Sequence, residues 1–155
     1  MSSKPVGVWT VDSEAGQIRQ LMGRIVIMTD GAGFQPVTET INEWLLENGA
    51  GDGLLTLFLR HTSASLVIQE NTDPDVQADL LDALHRLAPE DINYRHHLEG
   101  LDDMPAHVKA MLTGVSVQVP VVAGQLDLGT WQAIYLVEHR TRGHQRSITM
   151  HYIGA

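Results

Sequence analysis

Leu54-Leu-Thr-Leu-Phe-Leu-Arg-His61-Thr-Ser-Ala-Ser65-Leu-Val-Ile-Gln-Glu70 is the stretch on which the reading of the chain turns. Leu54–His61 is almost continuously apolar, the pattern of a strand covered on both faces, and it ends on an imidazole. Ser65–Glu70 is a second run, with Leu66, Ile68 and Glu70 on one face. Only Thr62-Ser-Ala64 separates the two, so an antiparallel hairpin is the economical reading. If that hairpin is tight, Glu70 and His61 converge.

Working outward, Met1–Pro5 reads as a frayed start, and Val6–Val11 and Arg24–Met28 are short strand-like runs. Thr38 is a good N-cap for a helix over Glu39–Glu47 that buries Ile41, Trp44 and Leu45 and stops at Asn48-Gly49. Downstream, Pro74 opens a helix over Asp75–Ala88 whose stripe is Val76, Leu80, Ala83, Leu84 and Leu87; His85 falls on its wet side. Asp102-Asp103-Met104-Pro105 repeats the acidic start, and Gly114 ends a third helix over Pro105–Thr113. Met104, Val108, Met111 and Leu112 mark its inner side, with His107 between them. Val115, Val117, Val119 and Val121 alternate with polar residues as a strand, and Trp131–His139 and Arg146–Ile153 are two more, joined by the polar Arg140–Gln145 turn. The order is ββαββααβββ, three helices and about seven strands. Segregated strands and helices point to an α+β domain spanning 1–155.

Composition narrows the function classes. The 155 residues suit one domain, and 10 basic against 19 acidic side chains give a formal charge of −9, a field that opposes nucleic acid. No apolar run has the length of a membrane span, and residues 1–20 lack the core of a secretory leader, so no membrane partner is expected and a cytoplasmic location is the default. With no cysteine, any metal must be held by imidazole and oxygen. The densest ligand chemistry lies in Tyr94–Lys109, which holds His96, His97 and His107 with Glu99, Asp102 and Asp103.

Four stretches together resemble the YjbQ-like family: His61-Thr-Ser-Ala-Ser-Leu66 followed by Glu70-Asn71 and Asp73-Pro-Asp75; Tyr94-Arg-His96 with Glu99-Gly100; Asp102–Lys109; and Ser116–Pro120 leading to Leu128-Gly-Thr-Trp-Gln132. The resemblance implies two packed β-sheets, a homotrimer, and weak, "secondary" thiamine-phosphate synthase activity. That reaction joins a hydroxymethylpyrimidine diphosphate to a thiazole phosphate and releases diphosphate. It also implies that His61, His96 and His107 hold a divalent metal, zinc being the expected ion. His97 and the Arg140–Gln145 turn fall where the family varies, so neither is expected to carry chemistry.

The residues themselves leave plainer readings open. His61 ends a strand, His96 sits in a loop, and His107 is equally a hydrogen-bonded core histidine. Glu70 is the candidate general base, with a solvated strand-end carboxylate as the alternative. Thr62, Ser63 and Ser65 with Lys109 would cradle the phosphate of a small phosphorylated substrate, although turn chemistry also explains the hydroxyls. Trp131 and Gln132 would line a ring-binding pocket, although such a tryptophan is more often core. Asp102 and Asp103 are read as helix caps. A metal-dependent hydrolase with Glu70 as base and a non-catalytic trimeric metal- or metabolite-binding protein are the two other functions considered.

Overall fold

The structure, a computed structural model, describes residues 16–155, so the frayed start and the Val6–Val11 strand lie outside the described residues. Eight strands and three helices follow: β1 Arg19–Met28, β2 Gly33–Pro36, α1 Thr38–Glu47, β3 Gly53–Leu59, β4 Ala64–Glu70, α2 Pro74–Leu87, α3 Asp103–Thr113, β5 Ser116–Val122, β6 Gln125–Leu126, β7 Gln132–Glu138 and β8 Gln145–Gly154. They form a five-stranded sheet, β1-β8-β3-β5-β6, and a three-stranded sheet, β2-β7-β4, antiparallel throughout. β2 and β6 are the strands not foreseen. Both are short and bounded by glycine, proline or a tight turn, so alternation has no length in which to show. The β5–β6 turn places Ala123 and Gly124 both at positive φ, the geometry that suits a two-residue hairpin.

The expected β3–β4 hairpin is not formed. β3 pairs with β8 and β5 in the large sheet, whereas β4 pairs with β7 in the small one. The chain at Arg60–Ser63 therefore crosses between sheets, and His139–His144 crosses back from β7 to β8. The two crossovers are fastened side by side, because Arg60 N–H donates to the Ser147 carbonyl and His139 N–H to the Ser63 carbonyl. Gly143 allows the close return: a Cβ there would lie 2.0 Å from the Thr29 carbonyl oxygen, a distance only glycine accommodates.

The core fills the space between the sheets. Leu55, Leu57 and Leu59 of β3, Val119 and Val121 of β5, and Ile148, Met150 and Tyr152 of β8 meet Leu66, Ile134 and Leu136 of the small sheet, with Ile41 and Leu45 of α1 closing one end. Thr38 does not cap α1. Its hydroxyl accepts from Ile134 N–H and ties the helix to β7 instead. Nor is β3 covered on both faces in the single chain. Its outer side chains Leu54 and Phe58 are exposed, as are Met22, Val26 and Ile153 on the same face of the sheet. The small sheet presents Tyr135, Val137, Phe34 and Val67 to its other side, where Leu80 and Leu84 of α2 approach.

On α3 the inner face is Asp103, Ala106 and Ala110, not the predicted Met111 and Leu112, which are exposed. Small alanines let the helix lie close against its neighbours, and this rotation sets the direction of the histidine on the next turn.

Candidate metal centre

Asp103 and His107 are one helical turn apart, so both side chains leave the same edge of α3. The loop before the helix carries His96 to the same place. Its Nε2 lies 2.5 Å from Asp103 Oδ2, within hydrogen-bond distance, and His107 Nε2 lies 3.2 Å from that oxygen. The two imidazole rings are 5.6 Å apart, centre to centre. The donor atoms of His96, Asp103 and His107 all lie within 4.8 Å of one another. Asp103 is sealed, with 3% of its side chain exposed, whereas the histidines retain 43% and 33%. The cluster is thus anchored from within and open on its imidazole side.

Neither Asp102 nor Asp103 caps the helix with its side chain. Arg140 takes both: Nε donates to Asp102 Oδ2 at 2.9 Å, Nη1 to Asp103 Oδ1 at 2.7 Å, and Nη2 to the Glu99 carbonyl at 2.9 Å. Burial works against ionisation of both acids. The Arg140 and Thr141 hydrogen bonds outweigh it at Asp102 and hold that carboxyl at about 2. At Asp103, the His96 hydrogen bond and the Arg140 charge likewise lower the pKa. With Arg140 occupying Oδ1, only Oδ2 faces the histidines. The turn expected to carry no chemistry thus orients the acid at the centre.

His107 Nδ1–H donates to the Thr62 carbonyl at 2.8 Å. A neutral ring with its proton there turns the Nε2 lone pair towards the Asp103 carboxylate. Two acceptors 3.2 Å apart repel unless a proton or a cation lies between them. Two imidazole nitrogens and one carboxylate oxygen, with a carbonyl fixing one ring from behind, is a donor set that suits zinc and also matches the two-histidine, one-carboxylate set used for ferrous iron.

His61 stands apart from the cluster. Its Nε2 accepts from Ser147 N–H at 2.8 Å, so that nitrogen is committed to the fold. Burial first, then the Arg146 charge, lowers its pKa. The proposed cradle also separates. Thr62 contributes its carbonyl rather than its hydroxyl. Ser63 is buried and accepts from Arg146 Nη2, and the fully buried Ser65 hydroxyl bonds His139 Nε2 at 2.7 Å. Lys109, two residues beyond His107, lies near enough to His139 for its charge to lower that imidazole's pKa. Burial lowers the lysine's own pKa, opposed by Glu90 and Asp102 nearby.

Glu70 does not converge on His61. It closes the far end of β4, paired with Gln132, and its carboxylate accepts from Asp73 N–H. Six residues of strand, roughly 20 Å, separate that end from Ala64. Gln132 folds back on Gly129 N–H and Trp131 is exposed, so all three lie at the opposite end of the small sheet from the cluster.

Asp103, read from the sequence as a helix cap, and Arg140, in a turn expected to carry no chemistry, are the residues that the structure places in the cluster instead. Asp103-x-x-x-His107 is itself a legible pairing, since four residues place both on one helix edge. Nothing local marks Arg140, whose partners lie 37 and 38 residues away.

The comparisons agree with the fold. A family model for "UPF0047 protein YjbQ-like" matches residues 24–155. A UPF0047 protein of Synechocystis is 48% identical over 143 residues, covering 92% of this chain and 97% of that one. The UPF0047 protein YjbQ of Salmonella typhimurium is 46% identical over 117 residues, 75% and 85% of the two chains. Among solved structures, a conserved hypothetical protein of Thermus thermophilus superposes with TM-score 0.75 at 35% identity over 83% and 97% of the chains. A YbjQ-like protein of unknown function from Sulfolobus solfataricus shares the fold with TM-score 0.83 at 24% identity, over 90% and 100%.

Proposed function

The chain belongs to the UPF0047 protein YjbQ-like family, and from that premise we propose a homotrimeric, divalent-metal-binding protein with weak thiamine-phosphate synthase activity. Its metal ligands are His96, Asp103 and His107, and zinc is the expected ion. The observation that carries the reading is the pair of acceptors, His107 Nε2 and Asp103 Oδ2, held 3.2 Å apart with His96 beside them. When bound, the ion supplies the positive charge that a departing diphosphate requires. The chain's own residues do the rest: Thr62 O fixes the His107 tautomer, Arg140 aims Asp103, and the half-exposed imidazoles leave one side of the centre open to substrate. The exposed apolar face carrying Met22, Val26, Leu54, Phe58 and Ile153 supports assembly with further copies.

The hydrolase reading loses its base with Glu70 placed at the far end of β4. Metal analysis of wild type and His107→Ala, followed by assay with both thiamine precursors, tests the proposal. Wild type is expected to hold about one zinc per chain, His107→Ala to lose it, and both the metal content and product formation of Glu70→Gln to match wild type. Equal metal in His107→Ala would overturn the site. Metal binding without product from the two precursors would overturn the reaction and leave a metal-binding protein.

A further inference from the structure

α3 carries two of the three residues of the cluster, so the roll of the helix about its own axis sets where both of them point. A side-chain tip stands about 6 Å from a helix axis, and a roll of about 10° therefore moves it about 1 Å. Functional side chains need to be held to about 0.5 Å. Apart from Asp103, the buried residues of α3 are Pro105, Ala106 and Ala110, short side chains that let the helix lie close and offer little to interlock. The restraint on roll falls to polar contacts at the two ends.

At the first turn the contact is Arg140, which holds Asp102 and Asp103. At the last turn it is Thr113, whose hydroxyl lies 2.5 Å from Ser65 Oγ and 2.8 Å from the Lys109 carbonyl oxygen. Ser65 Oγ in turn lies 2.7 Å from His139 Nε2. Each hydroxyl has one proton to give. If Thr113 donates to the Lys109 carbonyl, Ser65 has to donate to Thr113, and His139 Nε2–H then donates to Ser65. This is the one arrangement that makes all three contacts, and it needs a neutral ring with its proton on Nε2. Burial and the Lys109 charge both disfavour the charged ring. Ser65 and His139 are 0% and 3% exposed, so water does not compete for the chain of bonds. His139 also precedes Arg140 directly, and its own N–H donates to the Ser63 carbonyl at 3.3 Å. One crossover thus reaches α3 at both ends.

We propose that His139 is a positioning residue for the metal centre: its Nε2–H, through Ser65 and Thr113, fixes the roll of α3 and with it the directions of Asp103 and His107. The inference rests on the proposed function for the metal, while the chain of hydrogen bonds needs none.

The test measures zinc affinity of the full chain by competition with a chelator, and the visible spectrum of the cobalt-substituted protein. Thr113→Val, which puts a methyl in place of the hydroxyl, and His139→Leu should each weaken zinc about tenfold, the lower end of the effect of residues that position a ligand, and alter the cobalt spectrum. Thr113→Ser and His139→Gln restore a donor at the same place and should return both readouts to wild type. Nitrogen NMR of the metal-free protein should show His139 protonated on Nε2; a proton on Nδ1 would overturn the proposal. So would a lower melting temperature in Thr113→Val and His139→Leu with the cobalt spectrum unchanged, which is the mark of a purely structural role. If His139→Leu does not fold, Thr113→Val decides. A wild type that binds zinc with Thr113→Val equal to it overturns this inference alone, whereas a wild type that binds neither zinc nor cobalt overturns the metal reading and this inference with it.

Discussion

Two clusters of the same residue types, histidine, carboxylate and arginine, lie at the end of the molecule where the sheets exchange strands, and they differ in how they meet water. In the first, His96, Asp103 and His107 with Arg140, the acid is sealed and the imidazoles are partly open. In the second, Glu138 and Arg146 pair with 2% and 4% of their side chains exposed. Thr29 and Ser63 bond to that pair, and the nearby His139 bonds to Ser65. No buried side-chain polar atom among the described residues lacks a partner. The comparison teaches that composition alone does not separate a ligand set from a structural network. Saturation separates the two here: both oxygens of Glu138 already accept from partners within the closed network, whereas in the open one His107 Nε2 and Asp103 Oδ2 face each other at 3.2 Å beside partly exposed imidazoles.

The largest expected effect tests the closed cluster. Glu138 accepts from Thr29, Arg146 and the Arg140 backbone. Glu138→Gln leaves the Arg146 charge buried without its counter-ion and should cost about 3–5 kcal/mol of stability, read by urea denaturation of metal-free protein. Asp103→Asn, at an acid that already borders open imidazoles, should cost far less. A loss under about 1 kcal/mol at Glu138 would break the distinction.

Next in size is a pH effect centred on the closed cluster, to which His61, its pKa also lowered by burial, adds in the same direction. Burial, then the Lys109 charge, lowers the His139 pKa from 6.5 to about 4, while Glu138 opposes and Arg146 adds to the lowering. Between those values the unfolded chain binds a proton that the folded chain refuses. The contribution is whole above pH 6.5 and is lost as pH falls towards 4, about 3 kcal/mol in all. Asp102 and Glu138, whose pKa values are lowered from 3.8 and 4.5, lose their contributions mainly below this window. Urea midpoints from pH 7 to pH 4.5 should therefore fall more steeply for wild type than for His139→Gln. Parallel curves would show that His139 is not held neutral by the fold.

These two clusters were unequally visible in the sequence. The helix read over Asp75–Ala88 forms at Pro74–Leu87, and the alternation of Val115 to Val121 forms β5, because both signals repeat within one element. The strand partners were not visible. Three residues between β3 and β4 fit a hairpin as well as a crossover, and the choice is made by β7 and β8, more than sixty residues later. Glu70 was misplaced for that reason. That His96 and His107 come together is legible because they lie close in sequence, one in the loop before α3 and one on it. Ser63 and Ser65 looked like ligand-binding hydroxyls because nothing local says that Arg146 and His139 cover them.

The smallest of the three effects separates orientation from charge in the open cluster. Arg140→Lys keeps the cation, but a single ammonium cannot span Asp102, Asp103 and the Glu99 carbonyl as the planar fork does. Asp103 is then free to rotate, and its Oδ2 no longer faces both imidazoles. Zinc affinity should fall about 10- to 100-fold, the usual effect of removing a residue that positions a ligand, and the visible absorption of the cobalt-substituted protein should change. A purely structural role would lower the melting temperature and leave the cobalt spectrum alone. Unchanged affinity would mean that α3 alone aims Asp103 and that the open cluster does not depend on the crossover. A tenfold loss with the fold intact would tie the metal centre to the β7–β8 turn, and through the Arg140 backbone to Glu138 in the closed network.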